Sequence, residues 1–344
     1  MRALIVSPYL DHLGGGERYM LSVASVLESL GYQITFSWDN LEEIDKLATM
    51  LGITLKSPSV DPRVMKLYHS SSPLGMYLAT KRYDLTVYLS DGSLPLLGSS
   101  KSLIHMQVPF HNVGGNSLKN KIKKHFCHGI IVNSRFTKNI IDQEYDINSI
   151  VLYPPVQPIV VTGSKGKTIL SVGRFEPSLN AKKQDVLITA FQIFAASHPD
   201  WRLVLAGGSS SEDWVNKLKA QASNLPITFE VNVSYERLQQ LYSEATIYWH
   251  AAGYGVDVAK SPELTEHFGI SCVEAISAGC APFVIAKGGQ PEIVTDSSYY
   301  WETPADLAKK TAAWISSPRK IPAFNLDYSL ASFASHLATI IKSL

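Results

Sequence analysis

Two glutamates and a glycine near residue 270 have the types and spacing to bind a phosphorylated sugar. Glu266 and Glu274 are separated by seven residues, and Gly269 stands just before a run of apolar residues at helical spacing. The first amides of a helix have no partner inside it, and the helix dipole attracts anions to this end. We therefore expect these amides to face a phosphate and Glu274 to accept hydrogen bonds from sugar hydroxyls. The amides belong to Phe268, Gly269, Ile270 and Ser271. The alternative interpretation is a capped surface helix with two solvated carboxylates.

The elements that must position these residues begin with a strand, a glycine-rich turn and a helix. Residues 2–7 form an apolar strand pattern, and glycines follow within residues 12–18. Apolar side chains at helical spacing over 17–30 predict a helix, and residues 33–38 predict the next strand. This order opens a parallel α/β domain.

The same pattern restarts after residue 165, so the chain predicts two α/β domains. The proline-rich stretch at 151–158 suits a linker. We place the domains at 1–156 and 157–325, with a final helix in 326–344 that packs back on the first domain. Further strands are predicted at 85–89, 103–106, 130–133, 168–172, 202–206, 247–250 and 282–285. Further helices are predicted at 184–196, 212–222, 234–243 and 270–278.

Composition excludes several classes of protein. Apolar residues make up 45% of the 344 positions and the formal net charge is +1, so neither disorder nor a dedicated nucleic-acid binder is expected. The first ten residues lack the pattern of a secretion signal. The cysteines are Cys127, Cys272 and Cys280, and their spacing fits neither a disulfide framework nor a zinc site. We expect a protein of the reducing cytoplasm.

Several short motifs follow one another in a fixed order. They are GGGER at 14–18, LYPPV at 152–156, SVGRF at 171–175 followed by KKQ at 182–184 and LITAF at 187–191, EHFGISCVE at 266–274 and GGQPEIV at 288–294. Together they resemble the retaining glycosyltransferases of family 4, whose E-x7-E motif corresponds to Glu266 and Glu274. The resemblance spans most of the chain and is most specific over 168–296.

The resemblance implies a GT-B fold, in which two Rossmann-like domains face each other across a cleft. The N-terminal domain would take the acceptor and the C-terminal domain the nucleotide sugar. Glu266 would contact the transferred sugar and Glu274 the ribose hydroxyls. Arg174 and one lysine of the next pair would contact the diphosphate, with register favouring Lys182 over Lys183. The glycines assigned to the donor by the same resemblance are Gly15, Gly16 and Gly173.

The chemistry of such a transfer explains the positive residues. Breaking a sugar–phosphate bond produces an oxocarbenium-like sugar and a diphosphate that gains negative charge. Fixed charges on Arg174 and Lys182 would stabilise that leaving group in the transition state. No DxD motif and no group of ligands at metal spacing is present in the sequence, so neither a metal nor another cofactor is expected.

One site position departs from the family pattern. Many relatives carry a sugar-facing histidine after the strand that corresponds to 103–106, and here the register places Gln107 there. His105 and His111 are nearby, and we take His111 as the acceptor-side candidate. A structural histidine is the alternative.

Residues 117–126, SLKNKIKKHF, combine a basic face with Leu118, Ile122 and Phe126 at a spacing of four. Such a helix can lie on an anionic membrane, where each basic residue adds about 1 kcal/mol. An ordinary domain helix with a core stripe is the other interpretation.

We therefore expect a metal-independent, retaining hexosyltransferase. It would move a hexose from a UDP-hexose such as UDP-glucose, or from GDP-mannose, to a saccharide or lipid-linked saccharide in surface polysaccharide or glycolipid synthesis. The alternatives are a nucleotide-sugar epimerase of the same fold or a non-catalytic nucleotide-sugar-binding subunit. The GGGER turn lacks G-x-G-x-x-G spacing, which argues against nicotinamide chemistry.

Overall fold

A computed structural model describes residues 1–10, 14–70, 72–177, 182–209, 212–321, 324 and 326–344 of the chain. The chain divides into two compact units. Unit 1 comprises Met1–Pro155 together with Tyr328–Leu344, and unit 2 comprises Val156–Asp327. The sequence analysis placed these divisions after residues 156 and 325, which is one residue later and two residues earlier than in the structure.

The strands are short and mostly buried. They are β1 Arg2–Val6, β2 Gln33–Phe36, β3 Ser59–Val60, β4 Leu85–Leu89, β5 Lys101–Met106, β6 Gly129–Val132, β7 Ile150–Val151, β8 Gly166–Val172, β9 Arg202–Gly207, β10 Ile227–Val231, β11 Ala245–Trp249 and β12 Ala281–Phe283.

Helices connect these strands within both units. They are α1 Gly15–Ser29, α2 Leu41–Met50, α3 Pro62–His69, α4 Pro73–Thr80, α5 Leu118–Lys124, α6 Arg135–Tyr145, α7 Gln184–Ala195, α8 Glu212–Gln221, α9 Tyr235–Glu244, α10 Ile270–Ser277, α11 Gln290–Ile293, α12 Pro304–Ser316 and α13 Leu330–Ser343.

Unit 1 is built on a seven-stranded parallel sheet in the order β3-β2-β1-β4-β5-β6-β7. Successive side chains of β1 enter different apolar clusters: Ala3 and Ile5 join one, and Leu4 and Val6 join the other. Because alternate residues of a strand point to opposite faces, the sheet is covered on both sides.

The last helix of the chain, α13, belongs to unit 1. Phe333 and Leu337 are buried in the same cluster as Ile5 of β1 and Met20 of α1. The Lys101 ammonium also donates to the Ile341 carbonyl at 2.6 Å. These contacts tie the end of the chain to the first domain.

Unit 2 is built on a five-stranded parallel sheet in the order β10-β9-β8-β11-β12. The side chain of Trp249 on β11 packs against Phe191 and Phe194 of α7, and its indole N–H donates to Thr311 of α12 at 3.0 Å. Both units are thus Rossmann-like, and the predicted α/β class with parallel sheets is confirmed.

Candidate active site

The predicted donor residues of unit 2 gather at the carboxyl ends of two neighbouring strands. Gly173 directly follows β8, and His250 directly follows β11. In the order β10-β9-β8-β11-β12, the chain winds to one side of β8 and later to the other. Ligands of open parallel sheets bind at such a switch point.

Close packing at the end of β8 requires small residues. A side chain on Gly173 would place its Cβ 2.5 Å from Cγ of Lys182, and one on Gly207 would place its Cβ 2.1 Å from the Gly173 carbonyl oxygen. The side chain of Lys182 therefore lies directly over the backbone of residue 173. The structure thus brings Gly173 and Lys182 together, and their role in binding the donor stays a prediction.

Glu266 is the electrostatic centre of the group. Its Oε2 atom lies 2.7 Å from the Lys182 ammonium and 2.8 Å from Nε2 of His250. Burial alone would raise the pKa of Glu266, but Lys182 and His250 outweigh it and hold that pKa well below its usual range. The carboxylate is therefore ionised. The ion pair is also largely shielded from solvent, because the side chains of Lys182 and Glu266 are only 20% and 14% exposed.

His250 was not assigned a role by the sequence. It is buried, and its Nδ1 has no hydrogen-bond partner among the described residues, while Nε2 contacts Glu266. A neutral imidazole with its hydrogen on Nε2 donates to the carboxylate in this geometry. The only sequence signal was its place directly after a buried strand.

The glycine pair after β12 fixes the backbone of Glu266. A Cβ on Gly288 would lie 2.1 Å from the Glu266 carbonyl oxygen, and Gly288 has φ +68°. The amide of Gly289 donates to the same oxygen at 2.7 Å. A Cβ on Gly289 would lie 2.4 Å from the His267 carbonyl oxygen, so neither position has room for a side chain.

The helix that follows Glu266 begins without a side-chain cap. Gly269, with φ +112°, is the N-cap residue of α10. Because glycine has no side chain, it cannot accept a hydrogen bond from the first amides of the helix. A Cβ at this position would lie 2.4 Å from Nε2 of Gln290, which is fully buried and whose amide has no partner among the described residues. The helix N-terminus therefore keeps free donors beside an unsatisfied amide.

This lack of a cap distinguishes the helices of the candidate site from most others. Lys183, at φ +54°, precedes α7 and likewise provides no side-chain cap. Side chains that accept a backbone N–H begin α2, α3, α4, α5, α6, α9, α12 and α13. A side-chain cap satisfies one of the first amides of a helix, whereas the first amides of α7 and α10 have no such acceptor.

Glu274 and Arg174 occupy contrasting environments. Glu274 is only 3% exposed and accepts a hydrogen bond from the Tyr242 hydroxyl at 2.9 Å. Arg174 is exposed, and its carbonyl accepts a 2.9 Å hydrogen bond from the buried amide of Gln184. The sequence did not assign Tyr242 or Gln184. The predicted ribose and diphosphate roles of Glu274 and Arg174 stay predictions.

In the first turn of α10, Ile270 and Ser271 are half-buried, while Phe268 before it is buried. The Ser271 hydroxyl accepts a 2.8 Å hydrogen bond from Tyr248 of β11. This contact anchors the start of α10 to the sheet.

The remaining predicted residues belong to unit 1. Gly15 opens α1 and is exposed, and a Cβ on Gly16 would lie 2.6 Å from Oε1 of Gln107. His111 is exposed, and its Nδ1 lies 3.1 Å from Nδ2 of Asn112. Their donor and acceptor roles stay predictions.

Neither a metal-binding cluster nor a membrane-spanning helix is present within the described ranges. No group of three or more His, Cys, Asp or Glu side chains there could hold a metal ion. No helix among the same residues has both the length and the apolarity to cross a bilayer.

Comparison with known proteins connects this geometry to glycosyl transfer. Residues 157–325 match the family model of the glycosyl transferases group 1. The human GDP-Man:Man(3)GlcNAc(2)-PP-Dol alpha-1,2-mannosyltransferase is 30% identical over 182 residues, which are 46% of this chain and 34% of that protein. The chain therefore spans about a third of the length of that relative.

Two other similarities extend further along the chain. An uncharacterized glycosyltransferase of Haemophilus influenzae is 24% identical over 246 residues, covering 65% of this chain and 68% of that one. The crystal structure of HepE from Anabaena, in complex with UDP and glucose, covers both chains completely with a TM-score of 0.72 and 17% identity. Residues 157–325, almost the whole of unit 2, thus match the glycosyl transferases group 1 family, and the chain has the GT-B fold of two Rossmann-like domains.

Proposed function

We propose that this protein is a retaining glycosyltransferase that moves a hexose from a nucleotide sugar to a saccharide or lipid-linked saccharide. The observation that carries the proposal is the contact of Glu266 with both Lys182 and His250 at the switch point of unit 2. The match of residues 157–325 to the group 1 family supports it. The retaining outcome rests on the resemblance of Glu266 and Glu274 to the E-x7-E motif.

The proposed chemistry follows from the charges of this site. As the bond to the diphosphate breaks, negative charge grows on the leaving oxygens. We assign the stabilisation of that charge to the Lys182 ammonium, to Arg174 and to the amides at the start of α10. The ionised Glu266 lies beside the positive charge that develops on the sugar.

Two relatives indicate which donors suit this site. The human relative is named for GDP-Man, and HepE was crystallised with UDP and glucose. We therefore propose UDP-hexose and GDP-mannose as the two candidate donors. Transfer to a surface polysaccharide or glycolipid would place the protein in the cytoplasm.

Calorimetric titration of UDP and GDP tests the proposed donor site. We expect one nucleotide to bind with or without magnesium, because the phosphate contacts come from Lys182, Arg174 and backbone amides. Lys182→Ala should weaken binding, while Lys183→Ala serves as the adjacent control. Failure of both nucleotides to bind would contradict the proposal, and binding only with magnesium would contradict its metal independence.

Peripheral membrane contact is a second part of the proposal, and the observation that favours it is the exposure of α5. Leu118 and Ile122 are 77% and 57% exposed, so the predicted apolar stripe does not form a core stripe. Leu74 and Leu78 of α4 are also exposed, and Tyr77 of α4 contacts Phe126 edge-on, which extends the surface.

The lysines of α5 divide into two pairs. Lys123 and Lys124 donate to backbone carbonyls, those of Leu94 and Tyr145. Lys119 and Lys121 are exposed. The exposed pair, beside apolar side chains, fits the surface of an anionic bilayer.

Sedimentation with vesicles containing phosphatidylglycerol tests this contact. We expect weak binding that salt reverses, and we expect the Lys119→Glu, Lys121→Glu double variant to lose it. A matched double variant, Lys217→Glu with Lys219→Glu on α8, should bind normally. Equal sedimentation of all three proteins would contradict membrane binding through α5.

A further inference from the structure

The carboxyl ends of β1 and β4 in unit 1 carry a group of tyrosines around one carboxylate. Tyr9 comes three residues after β1, and Asp91 comes two residues after β4. The sheet order β3-β2-β1-β4-β5-β6-β7 makes the gap between β1 and β4 the switch point of this unit. Ligands of parallel sheets bind at this kind of position, and the sequence assigned neither residue.

Hydrogen bonds hold the Asp91 carboxylate in a fixed orientation. Oδ2 accepts from the Tyr68 hydroxyl at 3.0 Å, and Oδ1 accepts from the amide and hydroxyl of Ser93 at 3.0 and 2.7 Å. Burial alone would raise the pKa of Asp91, but these donors outweigh it and lower that pKa. Asp91 is nevertheless exposed, so an ionised acceptor with free lone pairs faces outward.

Aromatic rings surround this carboxylate. The rings of Tyr68 and Tyr88 are 5.9 Å apart between centroids, and Tyr88 is buried behind Tyr68. Tyr9 lies near enough to Tyr68 to affect its titration, and Tyr9 is 48% exposed. A half-exposed ring at a sheet switch point presents an apolar face to a ligand.

We infer that this cluster binds a neutral sugar ring of the acceptor, with Tyr9 against the face of the ring and Asp91 accepting hydrogen bonds from its hydroxyls. A pyranose has C–H groups on its faces and hydroxyls around its edge, so it matches an aromatic face beside a carboxylate. This inference rests on the proposed function, and it specifies the acceptor as an uncharged glycoside at the contacted ring.

The charge of the cluster disfavours a phosphorylated ring at the same position. A phosphate beside the ionised Asp91 would be repelled at short range. Lys123 also faces Asp91, but its ammonium donates to the Leu94 carbonyl. A neutral glycoside is therefore preferred over a sugar phosphate.

Saturation-transfer NMR with the full-length protein tests the inference. The probes are the methyl α-glycosides of glucose, mannose and galactose, together with glucose 6-phosphate. We expect at least one neutral glycoside to bind, with the strongest saturation on its ring-face protons, and glucose 6-phosphate to bind at least about tenfold more weakly.

Variants locate the binding. Tyr9→Ala and Asp91→Asn should each weaken binding of the glycoside about tenfold. Tyr9→Phe keeps the ring and should bind normally, as should Asp45→Asn, which changes an exposed control carboxylate on α2. Loss of binding in Tyr9→Ala with retention in Tyr9→Phe separates a ring contact from a folding defect.

Two results would overturn the inference: no binding of any neutral glycoside, or equal binding by Tyr9→Ala and the unmodified protein. Nucleotide titration of the same samples separates this failure from that of the proposed function. Retained UDP or GDP binding without glycoside binding would reject the acceptor cluster alone. Absent nucleotide binding would reject the proposed function.

Discussion

The two units share one topology but present different chemistry at their switch points. In unit 2, the residues at the carboxyl ends are charged and paired, because Glu266 contacts both Lys182 and His250. In unit 1, the corresponding position holds tyrosines around Asp91, and the switch point is mainly aromatic.

The difference shows that the parallel sheet determines where a ligand binds and the loop residues determine which ligand it is. A cluster with an ammonium held by a carboxylate, beside helix amides without a side-chain cap, suits a diphosphate that gains charge during reaction. A cluster of tyrosines and one fixed carboxylate suits a ligand whose charge does not change. The following predictions test this contrast.

The largest effect is expected from removing the ammonium of unit 2. Lys182→Ala should lower turnover by roughly 10²–10³, because a preorganised charge that stabilises the leaving group is lost. The measurement is the initial rate of nucleoside diphosphate release from the donor whose base binds. Glu266→Gln should lower turnover by a similar factor.

The neighbouring lysine provides the control for this prediction. Lys183 occupies the N-cap of α7, and Lys183→Gly suits its φ of +54°. This variant should keep most of the activity. Near-normal rates in both lysine variants would remove the phosphate role from the pair and with it the charged half of the comparison.

The next effect concerns the backbone that holds Glu266. Gly288→Ala should destabilise unit 2 by about 3 kcal/mol, because the new Cβ would collide with the Glu266 carbonyl in a left-handed conformation. Gly255 also has positive φ, at +73°, but no atom lies within 4 Å of its Cβ position. Gly255→Ala should therefore lower the free energy of unfolding by only about 1 kcal/mol.

Urea denaturation followed by tryptophan fluorescence measures this difference. Unit 2 contains Trp201, Trp214, Trp249, Trp301 and Trp314, whereas unit 1 contains Trp38 alone, so the signal reports mainly on unit 2. Equal midpoints for the two alanine variants would show that the loop can move away from Glu266.

The sequence predicted the elements that carry strong periodicity. The strand predicted at 85–89 is β4, and the helix predicted at 270–278 is α10, which ends one residue earlier. Hydrophobic runs and the glycines beside them contain this information locally. Helices α2, α3, α4, α6, α11 and α12 were not predicted from the sequence.

Side-chain partnerships across the chain could not be predicted in the same way. Lys182 and Glu266 are 84 residues apart, and His250 joins them from a third element. Their meeting depends on the order of strands in the sheet, which no local pattern contains. The family resemblance supplied Lys182 and Glu266, but it assigned no role to His250, Tyr9 or Asp91.

A third prediction concerns the pKa of a buried histidine in unit 1. His105 on β5 is buried and stacks on Tyr19 with ring centroids 4.0 Å apart. Burial lowers the pKa of His105 to about 3, only partly offset by the backbone of Ile131. The unfolded chain therefore binds a proton between about pH 3 and 6.5 that the folded chain does not, and stability falls as pH decreases through this range.

At pH 5 this difference in proton binding lowers the free energy of unfolding by about 2 kcal/mol. His105→Phe keeps the stacked ring and cannot titrate, so unit 1 should lose less stability between pH 7 and pH 5. Hydrogen exchange of the peptide containing Lys101–Met106, corrected for the intrinsic effect of pH, measures the change. An unchanged pH dependence in the variant would show that another group of unit 1 dominates.

The smallest effect is expected at the loop that carries His111. The Glu144 carboxylate of α6 accepts the amides of Asn112, Val113 and Gly115 at 2.9–3.0 Å. Burial alone would raise the pKa of Glu144, but these three donors outweigh it and lower that pKa. The stabilisation of this loop by the Glu144 carboxylate is therefore present above the ordinary carboxyl pKa of 4.5 and decreases as pH falls below it.

Glu144→Gln should destabilise this loop by about 1 kcal/mol, because the amide group has one acceptor oxygen where the carboxylate has two. Hydrogen exchange of residues 107–117 should rise, while the glycoside binding expected of Tyr9 and Asp91 should persist. Glu302→Gln, an exposed substitution in unit 2, is the control. If Glu144→Gln abolished glycoside binding without unfolding unit 1, the loop of His111 would belong to the acceptor site, and the aromatic cluster alone would no longer describe the chemistry of unit 1.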